Sequence, residues 1–230
     1  MIAIDQNIAD VRARIKQAAT LYSRESSTIA LLAVSKKQPV SAIQVAIAAG
    51  INDFGENYLQ EAEAKISELR EKSLKWHYIG SIQSNKTRSI AELFDWVHSV
   101  DRVSIARRLS RQRPESLAPL NICLQVNIDA EASKSGLLPA EVLDAVSQIS
   151  AMPNLRLRGL MAIPAKSTDV EATRASFARM NTLFKQAQQC INCSSFDSLS
   201  MGMSADIEPA IAEGATLLRV GTDIFGARSS

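Results

Sequence analysis

Two adjacent lysines, Lys36 and Lys37, end the short apolar run of residues 31–34 and are followed almost at once by Pro39. An apolar run this short, closed by a proline, reads as a buried strand, whereas a core helix of the same composition runs longer. The lysines then stand at a strand's C-terminal end, where parallel α/β folds gather the loops that hold ligands. A lysine partly desolvated at such a mouth gives up its proton near neutral pH and attacks a carbonyl carbon to form a Schiff base. The bland alternative is a pair of solvated charges, and the run itself does not say which lysine would react.

Two later stretches supply complementary chemistry. Ser200-Met201-Gly202-Met203-Ser204 precedes a helical pattern, and Gly221-Thr222 follows the apolar residues 216–220. Backbone N–H groups at such junctions bind phosphate, glycine lets the backbone approach it, and hydroxyls add donors. Singly each stretch reads as a helix cap; together, after the last two strands of a barrel, they read as a phosphate cradle. Arg219 interrupts an apolar strand, where a guanidinium needs a carboxylate or a ligand acceptor. Asn57 is either a further polar group at this mouth or the N-cap of the next helix. A carbonyl-reactive lysine beside a phosphate cradle asks for a ligand with an aldehyde and a phosphate, and pyridoxal 5′-phosphate (PLP) has both. Sugar phosphates of Schiff-base aldolase chemistry also qualify, but they need an acid/base partner that the sequence does not display.

The elements that must hold these residues alternate regularly. Strand patterns fall at residues 28–35, 51–55, 76–80, 96–100, 120–127, 155–163, 198–200 and 216–220. Between them lie helical faces such as Leu59, Ala62, Ile66 and Leu69, or Phe177, Met180, Phe184 and Ala187. Asp101 and Ser204 are the expected N-caps of two of these helices. An amphipathic helix bearing Ile8, Val11, Ile15 and Ala18 comes first. Alternating β and α elements require parallel strands with right-handed crossovers, and eight such units close most naturally into a barrel. The expected architecture is an α/β fold: a single TIM (β/α)8 barrel with an extra N-terminal helix, one domain over residues 1–230. An open doubly wound sheet is the alternative, but the glycine-rich dinucleotide fingerprint is absent after the first strand.

Composition narrows the function further. With 230 residues, 46% hydrophobic and 22% charged, the chain is globular in type. A net charge of +2 gives no bulk attraction for nucleic acid or membrane. Arg107, Arg108, Arg111 and Arg113 lack interleaved aromatic residues and read as a solvated helix face. No apolar stretch is long enough to span a membrane, and residues 1–10 do not have the order of a signal peptide, so a cytoplasmic location is expected. Cys190 and Cys193 have C-x-x-C spacing, but no second pair accompanies them and the histidines are only His77 and His98. Neither a zinc site nor a structural disulfide is expected.

Several motifs in order carry a resemblance that covers nearly the whole chain: Ala33-Val34-Ser35-Lys36, Phe54-Gly55-Glu56-Asn57-Tyr58, His77-Tyr78-Ile79-Gly80, Gln83-Ser84-Asn85-Lys86, Gly159-Leu160-Met161, Ser200-Met201-Gly202-Met203-Ser204 and Arg219-Val220-Gly221-Thr222. The chain resembles the PLP homeostasis proteins, also described as YggS-like or proline-synthase co-transcribed proteins. Ile82 in place of leucine, and Lys37, are small departures. The resemblance implies the fold-type III barrel shared with the N-terminal domain of alanine racemase, and Lys36 as the Schiff-base lysine. It implies that Ser200, Met201, Gly202, Gly221 and Thr222 hold the phosphate and that Arg219 lies against the pyridine nitrogen, weakening the ring as an electron sink. Asn57 is then expected on the phenolic-oxygen side, and Met161 in the apolar wall.

Alanine racemases use a tyrosine from a second domain, and this sequence ends ten residues after Val220. The expected function is therefore PLP carriage and buffering through a reversible Schiff base on Lys36, maintaining vitamin B6 and amino-acid homeostasis. PLP-dependent apo-enzymes are the expected recipients, and a monomer the expected state. The alternative is a PLP-dependent amino-acid racemase or lyase, with Tyr58 or Tyr78 as second base. Lys86 and Lys134, which could hold a second PLP, read as solvated.

Overall fold

Eight short strands carry the architecture in the computed structural model, which describes residues 3–191 and 194–226. They are β1 (Ala30–Val34), β2 (Asp53–Glu56), β3 (Lys75–Tyr78), β4 (Trp96–Val100), β5 (Leu120–Val126), β6 (Leu155–Ala162), β7 (Ser198–Ser200) and β8 (Leu217–Val220). All pair in parallel in sequence order, and β8 closes onto β1 from Leu217 beside Ala30 to Val220 beside Ala33. This closure is the predicted barrel and rules out the open sheet. The helices are α1 (Ile4–Leu21), α2 (Val40–Ala48), α3 (Leu59–Glu68), α4 (Thr87–Leu93), α5 (Val103–Gln112), α6 (Val142–Ser150), α7 (Val170–Ile191), α8 (Ile207–Ala212) and α9 (Thr222–Phe225). The extra helix α1 buries Ile4, Ile8, Val11 and Ile15 and packs on α2, α8 and α9. Among the described residues no helix is long and apolar enough to cross a membrane.

The period-two rule of strands sorts the side chains into two cores. Phe54, Trp76, Val97, Ile122, Leu160, Leu199 and Leu218 belong to the large core beneath the helices. Their strand neighbours Leu32, Trp96, Cys123, Met161 and Leu217 form a separate small cluster in the barrel lumen. By the same alternation His77, His98, Ser200 and Arg219 also face inward, and all are buried. Met161 reaches the lumen through a bulge. Ile122 pairs with Leu157 but Cys123 pairs with Gly159, so Arg158 is an extra residue that resets the alternation. Gly159 sits there at φ 155°, where a Cβ would fall 1.7 Å from the Ser198 carbonyl oxygen.

Several local expectations need correcting. β1 begins later than the apolar pattern because Ser26–Thr28 form a 3-10 turn. Arg102, not Asp101, occupies the N-cap of α5, and the Asp101 carboxylate pairs with the Arg102 guanidinium at 2.7 Å. Asp206 rather than Ser204 stands at the N-cap of α8, while Ser204 Oγ accepts the Asp223 N–H. Arg113 is buried, and its guanidinium donates to the carbonyls of Ala91, Phe94 and Ala118. It ties the end of α4 to the loop after α5, so the basic run is not solvated throughout. Cys190 is exposed on α7, and Cys193 lies outside the described residues.

Candidate functional site

The backbone immediately after β1 turns the two lysines to different surroundings. Lys37 adopts φ 61°, a left-handed conformation costly for a side chain with a Cβ. Its N–H donates to the Glu61 carboxylate, which holds the turn. Lys37 is consequently exposed, whereas half-buried Lys36 lines a cavity of about 290 Å³ at the C-terminal mouth of the barrel. Val34, Asn57, Ile79, Met161 and Arg219 share that cavity, and residues 203–205 with Gly221 and Thr222 complete it.

Behind Lys36 and Asn57 lies a buried polar network. Glu56 Oε1 accepts hydrogen bonds from Ser35 Oγ at 2.6 Å and from Lys65 Nζ at 2.8 Å. Lys65 Nζ also donates to the Ser35 carbonyl and to Glu61. Burial pushes the Glu56 carboxyl up, opposed by the bonds from Lys65 and Ser35. Two of the network residues adjoin cavity residues in sequence, Ser35 beside Lys36 and Glu56 beside Asn57. Sequence reasoning missed this network because Lys65 falls in a charged helix pattern that reads as solvent-facing.

Arg219 is fixed from two sides. Nη1 donates to Ser200 Oγ at 2.6 Å and Nη2 to the Ala162 carbonyl at 2.9 Å. Burial lowers its pKa to about 10, with Asp206 and Cys123 acting in the opposite direction, so the guanidinium stays charged at neutral pH. Ser200 thus serves Arg219 from within the lumen and does not line the cavity. Met201 buries its side chain in the large core and donates its N–H to the Leu217 carbonyl. Gly202, at φ 92°, accepts the Arg219 N–H at its own carbonyl. The three residues expected at a phosphate therefore lie behind the cavity wall, and Met203, Ser204 and Ala205 stand in their place. The turn at Gly202 produces this offset; a Cβ there would lie 2.6 Å from Ala210 Cβ.

The remaining groups fit a flat aromatic aldehyde carrying an anionic arm. Asn57 Oδ1 is buried with no hydrogen-bond partner, and Tyr58 rather than Asn57 occupies the N-cap of α3, so Asn57 is left for the cavity. Val34, Ile79 and Met161 supply apolar walls for a ring. Gly221 is the N-cap of the short helix α9, whose Asp223 N–H donates to Ser204 Oγ and whose Ile224 and Phe225 N–H groups donate to the Gly221 carbonyl, so Gly221 and Thr222 are what the helix presents to the cavity. A Cβ at Gly221 would come within 3.3 Å of the Val34 carbonyl oxygen, so glycine keeps this corner open. Tyr58 and Tyr78 line a neighbouring recess with Lys86 and not this cavity. Tyr78 is buried, donates to the Ser81 carbonyl, and has its phenol pushed up by burial. Lys134 is paired with Glu131 and donates to the Pro164 carbonyl.

The comparisons with known proteins identify the family and the fold. The family model described as "Alanine racemase, N-terminal domain" matches residues 3–229. The pyridoxal phosphate homeostasis protein of Pseudomonas aeruginosa is 55% identical over 228 residues, covering 99% of this chain and 97% of that relative. That of Escherichia coli K12 is 48% identical, covering 98% and 97%. PipY of Synechococcus elongatus PCC7942, solved with PLP bound, superposes with a TM-score of 0.80 at 41% identity, covering 92% of this chain and 99% of that one. An alanine racemase of Clostridium difficile 630 shares the fold alone, at 12% identity and a TM-score of 0.68 over 96% of this chain and 58% of that one.

Proposed function

This chain belongs to the alanine racemase N-terminal-domain family, among the pyridoxal phosphate homeostasis proteins, and from that premise we propose that it binds, buffers and hands on PLP. The observation that carries this reading is the convergence of Lys36, Arg219 and the unpartnered Asn57 Oδ1 on one cavity. Lys36 is the amine that holds the aldehyde. Bound PLP would supply an aldehyde with which a lysine amine condenses reversibly, releasing and taking up water, and Lys36 is the amine at the cavity that would do so.

Arg219 would face the ring nitrogen, and Asn57 would offer its polar edge to the phenolic oxygen. Met161 and Ile79 would cover the ring. Residues 203–205 with Gly221 and Thr222 hold the phosphate through backbone N–H groups and two hydroxyls. Bound PLP supplies an electron-withdrawing ring, which a cation at its nitrogen makes a weaker sink. Arg219 remains charged, and among the described residues no tyrosine lines the cavity. Both features favour a carrier over a racemase. The reading extends to apo-enzymes that need PLP as recipients, a monomeric state, and B6 and amino-acid balance as the outcome.

The test is the absorption spectrum of the purified protein before and after PLP addition, for wild type and Lys36→Ala. A yellow band in wild type that Lys36→Ala lacks is the expected result. No band with excess PLP in wild type overturns the reading. Deuterium from solvent entering the α-position of an amino acid, at a rate that vanishes in Lys36→Ala, would replace the carrier with an enzyme.

A further inference from the structure

A line of hydrogen bonds runs through the barrel lumen from the Lys36 mouth to the opposite one. Arg219 Nη1 is 2.6 Å from Ser200 Oγ, and Ser200 Oγ is 2.8 Å from His98 Nδ1. His98 Nε2 is 2.9 Å from His77 Nδ1, and His77 Nε2 is 3.0 Å from Asp53 Oδ1. The four inner groups are no more than 4% exposed, while the Asp53 side chain is 30% exposed. Asp53 opens onto a recess of about 640 Å³ that also holds Lys75, Asp95, Arg156, Arg158 and Asp197.

With neutral rings, the Asp53 end fixes the direction of every bond up to Ser200. A guanidinium can only donate and a carboxylate can only accept. With both imidazoles neutral, His77 carries its proton on Nε2, facing Asp53, and accepts at Nδ1 from His98 Nε2–H. His98 Nδ1 is then an acceptor and takes the proton of Ser200 Oγ, whose lone pairs face Arg219. The surroundings of both rings agree. Burial pushes both histidines down, helped at His98 by His77 and Arg219; at His77, Asp53 and Asp95 pull the other way and Lys75 adds to the lowering. Trp96 stacks on the His77 ring at 5.5 Å and holds its plane.

We propose that Asp53, His77 and His98, acting through Ser200, are positioning residues for Arg219, so that PLP binding at one mouth of the barrel depends on the charge of Asp53 at the other. This rests on the PLP reading above. Without the Asp53 charge the line can reverse, with His77 accepting and His98 donating to Ser200. Ser200 Oγ then accepts from both neighbours while its own buried proton loses its acceptor, a cost that falls on the Ser200–Arg219 bond and loosens the seat of the guanidinium. Aligned hydrogen bonds of this kind polarise one another in a low-dielectric lumen, and outer partners of a binding group commonly set a tenfold change in its affinity.

The experiment pairs two readouts in wild type, Asp53→Asn, Asp53→Glu and Asp197→Asn, the last removing a carboxylate of the same recess outside the line. The first readout is the imidazole nitrogen NMR spectrum of the protein without added PLP; the second is PLP affinity and band position by absorption titration. Expected are Nε2–H tautomers for both histidines in wild type and a mixed pattern in Asp53→Asn. PLP binding in Asp53→Asn should be about tenfold weaker with a shifted band, partly restored in Asp53→Glu and unchanged in Asp197→Asn. An Nδ1–H tautomer in wild type overturns the line whatever the ligand, and needs no variant to fold. A wild-type band with Asp53→Asn binding PLP as wild type does overturns this inference alone. No band in wild type overturns the PLP reading and this inference with it.

Discussion

Lys65 Nζ lies 2.8 Å from Glu56 Oε1 with their side chains 6% and 0% exposed, so a buried ion pair holds the backbone that presents Lys36 and Asn57. Removing one partner of such a pair strands the other's charge. Lys65→Met is expected to destabilise the fold by about 3–5 kcal/mol at neutral pH. Glu56 already has its carboxyl raised by burial, so its favourable contribution is present below the ordinary carboxylate pKa and is lost as pH rises through the raised one. In Lys65→Met that rise is larger. The gap from wild type in urea unfolding should therefore be small at pH 5 and widen towards pH 8; a pH-independent gap would mean that Glu56 is not the stranded charge.

The two histidines set the acid limb of the stability curve. Both have pKa values lowered in the fold, so the stability they contribute is present above about 6.5 and is lost as pH falls towards the native values. The chain has no other histidines, so all histidine proton uptake on unfolding belongs to this pair. Their share of the free energy of unfolding should drop by about 2 kcal/mol between pH 7 and 5.5. Nitrogen NMR titration of the two imidazoles separates that share from Glu56, whose raised carboxyl acts in the opposite direction, and an imidazole already charged at pH 7 would overturn it.

Gly80 packs against the backbone of the residue it helps to place. A Cβ on Gly80 would fall 2.0 Å from the Asn57 carbonyl oxygen, whereas one on Gly55 would meet only the side chains of Ile79 and Leu32 at 3.2 Å. Gly80→Ala must displace the Asn57 backbone and is expected to cost about 2–4 kcal/mol, with weakened PLP binding. Gly55→Ala requires only that two flexible side chains give way, and should cost about 1 kcal/mol or less. Equal losses in the two variants, in urea unfolding and absorption titration, would remove Asn57 from the site.

The barrel was legible because its evidence is local and repeated: short apolar runs, helical faces between them, and polar residues at the run ends. Lys36, Asn57, Met161, Arg219, Gly221 and Thr222, singled out from the sequence and its resemblance, all line one cavity. Ser200, Met201 and Gly202 do not, because the positive φ of Gly202 turns the chain and moves the exposed part of the loop on to residues 203–205. That turn depends on how Gly202 packs against α8, which residue order does not disclose. His77 and His98 illustrate a different gap. Strand parity places both in the lumen, alternating with Trp76 and Val97, but their contact with Ser200 and Asp53 needs the closure of the barrel. Lys65 was hidden for a third reason, since a charged helix pattern does not reveal that one of its lysines turns inward.

The offset in the strand-seven loop has a measurable consequence. If residues 203–205 hold the phosphate, Ser204→Ala removes a hydroxyl donor to a charged group, an interaction worth about 1.5–3 kcal/mol, and PLP affinity should fall by roughly 10- to 100-fold. Pyridoxal, which keeps the aldehyde and lacks the phosphate, should bind the variant as it binds wild type. Met201→Leu should alter neither ligand's affinity, because its side chain lies in the core and its N–H is spent on Leu217. Side-by-side absorption titrations with the two ligands separate a phosphate contact from a structural one. Ser204 also accepts the Asp223 N–H, so loss of both ligands alike would assign it to the support of α9, leaving the phosphate to Gly221 and Thr222.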